Sequence, residues 1–158
     1  MQLVKKFQER LRMSADEFLW AVSLVPQERL FLAPRQDKWP VARLLFHLSL
    51  YEKTIALPTM RQWSGGAKPI VGTQEEDEAR ENQAWNEGQG HEIAAMSEEF
   101  KARRVEQITL LAELTDERLQ ERLPVLWGER SLQWVLTKTY QHTLEHTDEV
   151  LRAYLWWK

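Results

Sequence analysis

His142 and His146 stand four residues apart in the run Tyr-Gln-His-Thr-Leu-Glu-His, and His47 lies far upstream in Trp-Pro-Val-Ala-Arg-Leu-Leu-Phe-His-Leu. On a helix, positions i and i+4 share a face, so one segment presents two imidazoles side by side. A third imidazole from a facing helix leaves a divalent ion with an open coordination position, the arrangement of a catalytic metal site. At 100° per residue, His146 lies about 40° round the helix from His142, Glu149 at about −20°, and Glu145 on the flank at about −60°. Glu149 and Glu145 are therefore the candidate acid–base groups. On the upstream helix, Arg43 and Tyr51 lie four residues to either side of His47 and share its face. Tyr51 is placed to donate a hydrogen bond to a bound ligand, and Arg43 to pair with an anionic substrate group or with Glu149.

A lone histidine on an apolar face is more often a core residue than a ligand, and an isolated pair at i, i+4 spacing arises easily by chance. The metal reading rests on the combination of the pair with His47, because neutral imidazole is a common divalent-metal ligand. The fourth histidine, His91, follows Gly90 near a helix start and is expected to be exposed or capping. His142-Thr-Leu-Glu145-His146 also matches the H-x-x-E-H string of the inverzincin proteases. Those enzymes carry it in a much larger α/β domain, and here the likeness stops at five letters.

The elements that position these residues read as helices. Leu3, Phe7, Leu11, Phe18, Val22 and Val25 predict an amphipathic helix from Leu3 to Val25, with Pro26 as its stop. A linker from Pro26 to Lys38 follows. A second helix is expected to start at Trp39-Pro40, with proline in the first turn and Asp37 near the cap. It carries Val41, Leu44, Leu45, Leu48, Tyr51 and Ile55, and Pro58 is placed to kink or end it. Ser64-Gly65-Gly66-Ala67-Lys68-Pro69 is a break. Thr73 to Gly90 is polar and acid-rich around a single aromatic, Trp85, and reads equally as a helical excursion or a mobile lid. A third helix is predicted from Glu92 to Leu114, carrying Ile93, Met96, Phe100, Val105, Ile108, Leu111 and Leu114. After a connection containing Pro124, Trp127 and Gly128, Ser131 caps a last helix that runs to the C-terminus. No sustained strand-like alternation is visible. The expected fold is all-α, a four-helix bundle with a long crossover between helices two and three, in one domain over residues 1–158.

Composition sets bounds on function. The chain has 158 residues, enough for a sizeable core, and no cysteine, which excludes disulfides, thiolate ligands and a cysteine nucleophile. Any metal must be held by histidine, carboxylate, carbonyl or water. With 21 Lys+Arg against 24 Asp+Glu and no basic block, nucleic-acid binding is not expected. No apolar run is long enough to span a membrane, and the polar, amphipathic start lacks the core of a signal peptide, so a cytoplasmic protein is expected. There are eight tryptophans. Trp39 and Trp127 are expected to anchor helix entries, and Trp63 and Trp85 to wall the metal mouth. Tyr154, Trp156 and Trp157 offer a contact surface for a homodimer. Arg103-Arg104 is expected to face solvent, unless one of the two points inward.

Three stretches carry a family resemblance. Trp39-Pro-Val-Ala-Arg-Leu-Leu-Phe-His47-Leu, Trp127-Gly-Glu-Arg-Ser-Leu-Gln-Trp-Val-Leu and Tyr140-Gln-His142-Thr-Leu-Glu-His146-Thr-Asp-Glu-Val together resemble the DinB-like superfamily of four-helix metalloproteins, over nearly the whole chain in helix order. The resemblance implies that His47, His142 and His146 are metal ligands, for zinc or nickel, with water completing the shell. It implies an enzyme acting on a small-molecule substrate, in some relatives a transferase or isomerase that uses a low-molecular-weight thiol such as bacillithiol or mycothiol. Glu149 departs from the glutamine common at that position. A metal-dependent hydrolase, with Glu145 or Glu149 as base, and a non-catalytic helical interaction module are the competing readings.

Overall fold

In the computed structural model, residues 2–89 and 91–157 are described. Met1, Gly90 and Lys158, which the expected N-terminal segment, polar excursion and last helix include, lie outside them. The elements run α1 (Gln2–Leu24), α2 (Val41–Tyr51), α3 (Leu57–Met60), α4 (Gln74–Asn86), α5 (Ile93–Leu111), α6 (Asp116–Gln120), β1 (Arg122–Val125), β2 (Gly128–Ser131) and α7 (Leu132–Trp156). The protein is a helical bundle built from α1, the α2–α3 run, α5 and α7. Each of α1 and α2 packs against both α5 and α7, so α1 and α2 stand on a diagonal although they are consecutive in the chain.

Local chemistry explains most boundaries. Pro26 closes α1, and a short 3-10 turn, Gln27–Arg29, starts the linker. Pro40 is the N-cap of α2 rather than its first residue; no side chain caps that end, Asp37 included. Instead the amide N–H groups of Arg43 and Leu44 donate to the Pro40 carbonyl at 3.0 and 3.2 Å. Pro58 neither ends nor breaks the second helix. It lies just after a π turn, Glu52–Ala56, and the chain continues through α3 into a 3-10 turn, Arg61–Ser64. Proline has no N–H for the preceding turn, and a widened turn before it absorbs that missing donor. Gly65, at φ 89°, then takes the left-handed cap that a side chain would disfavour.

The polar excursion resolves as a helix. Thr73 forms a reciprocal capping box with Glu76, which accounts for the start of α4 despite its weak apolar face. The connection before α7 holds a β-hairpin that the sequence did not announce. Its strands are four residues each, too short for alternation to register, and pair from Arg122 opposite Ser131 to Val125 opposite Gly128. Ser131 caps α7 as expected, accepting from the Trp134 N–H at 3.1 Å.

The core carries one large polar insertion. The apolar stripe of α5 runs Met96, Phe100, Arg104, Gln107, Leu111, all buried, while Val105 is exposed, so the predicted face was rotated at that position. The Arg104 guanidinium donates to the Leu11 carbonyl at 2.7 Å, the Ser14 hydroxyl at 2.9 Å and the Thr143 hydroxyl at 2.8 Å, and pairs with the Glu52 carboxylate. Gln107 donates to the second Glu52 oxygen. Arg104 is thus the inward-facing member of its pair, and its anion is this chain's own Glu52. Both charges are almost fully buried, with relative exposures of 2% and 0%. Removing one partner strands the other charge in the interior. Arg104→Met is expected to lose about 3–5 kcal/mol of stability, and a Glu52→Leu/Arg104→Met double variant to recover most of it, as read from urea unfolding. A double variant no more stable than the single would show that the pair is not the energetic unit.

Candidate metal centre

The three histidines meet between α2 and α7. His47 sits in the middle of α2, and α7 supplies His142 and His146 from consecutive turns. The Nε2 atom of His142 lies 3.1 Å from the Nε2 of His47 and 3.1 Å from that of His146. The three ring nitrogens form a group within 4.8 Å of one another.

Two carboxylates set the tautomers. His47 Nδ1 lies 2.8 Å from Glu81 Oε1, and His146 Nδ1 lies 2.8 Å from Glu149 Oε1. A carboxylate only accepts, so each Nδ1 carries the proton and each Nε2 presents a lone pair. Both face the Nε2 of His142 at 3.1 Å, and a divalent cation would draw on all three ring nitrogens at once. In a tetrahedral shell with metal–nitrogen bonds of about 2.0–2.1 Å, ligand nitrogens stand about 3.3 Å apart. The two spacings to His142 are within a few tenths of that and the whole set lies within 4.8 Å, so the residues suit a divalent ion. The carboxylate–histidine pairing is also the usual way of orienting such ligands.

His142 differs from the other two. Its Nδ1 is buried without a hydrogen-bond partner. Its ring packs against the Tyr51 ring at 4.4 Å between centroids, with the planes tilted by 60°. Burial first, and then the nearby His146, His47, Lys138 and Arg104, hold its pKa down to about 3. The imidazole is therefore neutral, the form that binds metal. Glu149 is held below the ordinary carboxylate range chiefly by its hydrogen bond to His146.

The other sequence candidates fall in different places. Tyr51 lines the cleft with its ring, but burial pushes its phenol up to about 12 and its hydroxyl lies buried near Thr139, so it packs His142 rather than presenting an acid to a ligand. Arg43 is buried and pairs with Glu81, at 3.0 Å, and Asn82, at 2.6 Å; these partners come from α4, not from Glu149. Its guanidinium lies over the Trp39 ring at 4.4 Å and near Phe46 and Trp85. Glu145 is exposed on the flank of α7 and accepts from Gln141 at 3.4 Å, outside the histidine group, as its −60° placement implies. His91 is exposed and packs on Phe31 and Trp85, away from the triad.

Glu81 is the residue that sequence reasoning missed. It lay in a stretch of undecided structure, among many acids, and only the register of α4 turns it toward His47. Trp63 does not wall the site: it is in the core and donates to the Glu121 carbonyl at 2.9 Å. Trp39 and Trp127, expected as helix anchors, instead line the cleft. Trp156 and Trp157 lie against Arg35 and Arg29 of the α1–α2 linker, which leaves Tyr154 and Leu155 as the exposed apolar groups of that end.

The cleft reaches His47 and His142 at its floor and has a volume of 1290 Å³. α4 and the exposed Ile70 line one side, and Leu126 and Trp127 of the hairpin tip with Lys138 of α7 also line it. Among the described residues no helix is long and apolar enough to cross a membrane.

The fold and site together define a helical bundle with three convergent histidines on two of its helices. The model of the DinB superfamily matches residues 10–150, and the chain belongs to that superfamily. Among solved structures it is similar to YfiT from Bacillus subtilis, described as a probable metal-dependent hydrolase with an unusual four-helix bundle topology. That likeness has 15% identity and a TM-score of 0.76, covering 97% of this chain and 86% of that one. It is also similar to a mycothiol-dependent maleylpyruvate isomerase at 13% identity and a TM-score of 0.70, covering 93% of this chain. The chain spans 60% of the isomerase's length. No curated protein sequence matches it. At these identities the likenesses concern the fold.

The depressed His142 gives the metal-free protein a defined response to acid. The unfolded chain takes up a proton at this residue near pH 6.5 and the folded one does not until about pH 3, so stability falls as pH drops through that window. Urea unfolding in chelator from pH 7 to pH 5 is expected to show wild type losing on the order of 1 kcal/mol per pH unit more than His142→Gln. Parallel pH profiles for the two proteins would contradict this.

Proposed function

We propose that the chain is a divalent-metal-dependent enzyme acting on a small molecule, with a thiol-dependent transfer as its reaction and zinc or nickel as its metal. The observation that carries this reading is the set of three Nε2 atoms at hydrogen-bonding distance, two of them fixed as lone-pair donors by carboxylates. A divalent ion held there supplies Lewis acidity, which favours the thiolate form of an incoming low-molecular-weight thiol.

The chain's own residues would do the rest. His47, His142 and His146 hold the ion, and Glu81 and Glu149 hold the rings. Tyr51 supports His142 from behind. The cleft has room for a small molecule and is walled by Trp39 and Trp127, with the Lys138 ammonium over the Trp127 ring at 5.2 Å to stabilise a nearby negative charge. A hydrolase with a carboxylate base is the second reading, prompted by the description of YfiT. Glu81 and Glu149 are both engaged in orienting histidines and Glu145 is exposed off the site, so none of these three stands free to activate water, whereas Glu76, Asp77 and Glu78 of α4 line the cleft.

Elemental analysis of the purified protein is expected to find about one equivalent of zinc or nickel, lost in His142→Ala, with one open site per chain as the stoichiometry. No metal after reconstitution with either ion would sink the reading. Turnover that proceeds in the absence of any thiol would favour the hydrolase.

A further inference from the structure

We propose that Glu81 is a positioning residue that couples occupancy of the histidine site to the docking of α4 over the cleft. The inference rests on the metal reading above. It starts from how α4 is attached. None of its residues is buried, and its apolar content is too low to hold it by burial alone. The contacts of its inward face are specific instead. Glu81 places one oxygen on His47 Nδ1 at 2.8 Å and the other on the Arg43 guanidinium at 3.0 Å. Asn82 accepts from the same guanidinium, and Trp85 packs on Phe46 at 5.6 Å between ring centroids.

The other three contacts do not involve a ring nitrogen that would bind the ion, but the Glu81–His47 bond does. A cation on Nε2 withdraws electron density from the ring, and the Nδ1–H becomes a stronger donor to the carboxylate. Loading the site therefore strengthens one of the few bonds that hold α4 down. By linkage, a docked α4 strengthens metal binding by the same factor. Glu149 orients His146 in the same manner but belongs to α7, which carries the histidines itself. It tunes the ion without tethering a cover.

The test is hydrogen exchange of the α4 amides, Gln74–Asn86, with and without saturating zinc, in wild type, Glu81→Gln and Glu149→Gln, alongside zinc titrations. Zinc is expected to slow α4 exchange about tenfold in wild type and in Glu149→Gln, and to leave it unchanged in Glu81→Gln. Both variants are expected to bind zinc about 10–100-fold more weakly than wild type. Zinc bound by wild type with unaltered α4 exchange overturns the coupling and leaves the metal reading standing. So does an undiminished zinc effect in Glu81→Gln, or its loss in Glu149→Gln. Failure of the wild type to bind zinc, and nickel in a parallel titration, overturns both.

Discussion

The bundle is organised around the buried guanidinium of Arg104. Arg104 reaches from α5 to a carbonyl and a hydroxyl of α1, a carboxylate at the end of α2 and a hydroxyl of α7. α1 and α2 form one diagonal and α5 and α7 the other, so the guanidinium fixes both at one point. An apolar core of the same volume tolerates small rotations of its helices, because van der Waals contacts are not directional. A fork of directional donors with several assigned acceptors does not. The cost is desolvation of two charges, and the gain is a defined register between helices.

That register reaches the histidines through one residue. Thr143, which accepts from Arg104, follows His142 directly and donates in turn to the Thr139 carbonyl. On the other side, Glu52 follows Tyr51, whose ring packs on His142. The π turn that begins at Glu52 lets Tyr51 and Glu52 both be buried while the run continues past Pro58. The structural pair and the three histidines are thus adjacent layers of one construction, the first setting the azimuth of the helices and the second using it.

Much of this was legible in the sequence, but unevenly. The helix-borne histidines, the cap at Ser131 and the bundle class follow from spacing and local chemistry, which act within one or two turns. Glu52 and Arg104 also left a trace, because each interrupts the apolar stripe of its own helix: Leu48, Glu52, Ala56 in one case and Phe100, Arg104, Leu111 in the other. Such an interruption announces a buried charge without naming its partner, since the partner is set by tertiary packing. Glu81 left no trace, because on a helix with many acids nothing local distinguishes the one that meets His47. The hairpin was hidden by its brevity, and Glu81 was not among the partners expected for Arg43, an anionic substrate group or Glu149, because the placement of α4 could not be read from its polar run.

The two histidine-bearing helices lie 95 residues apart along the chain at His47 and His142. An ion joining them would close that whole stretch into a loop, as a disulfide does, in a chain that has no cysteine to form one. By the chain-entropy account a link of this span is worth roughly 4–5 kcal/mol against the unfolded state. Unlike a covalent link, this one would be graded, its strength following the free metal concentration around the protein. The same three imidazoles would then make the lifetime of the fold a function of metal supply, with scarcity marking the molecule for degradation before its reaction rate is considered.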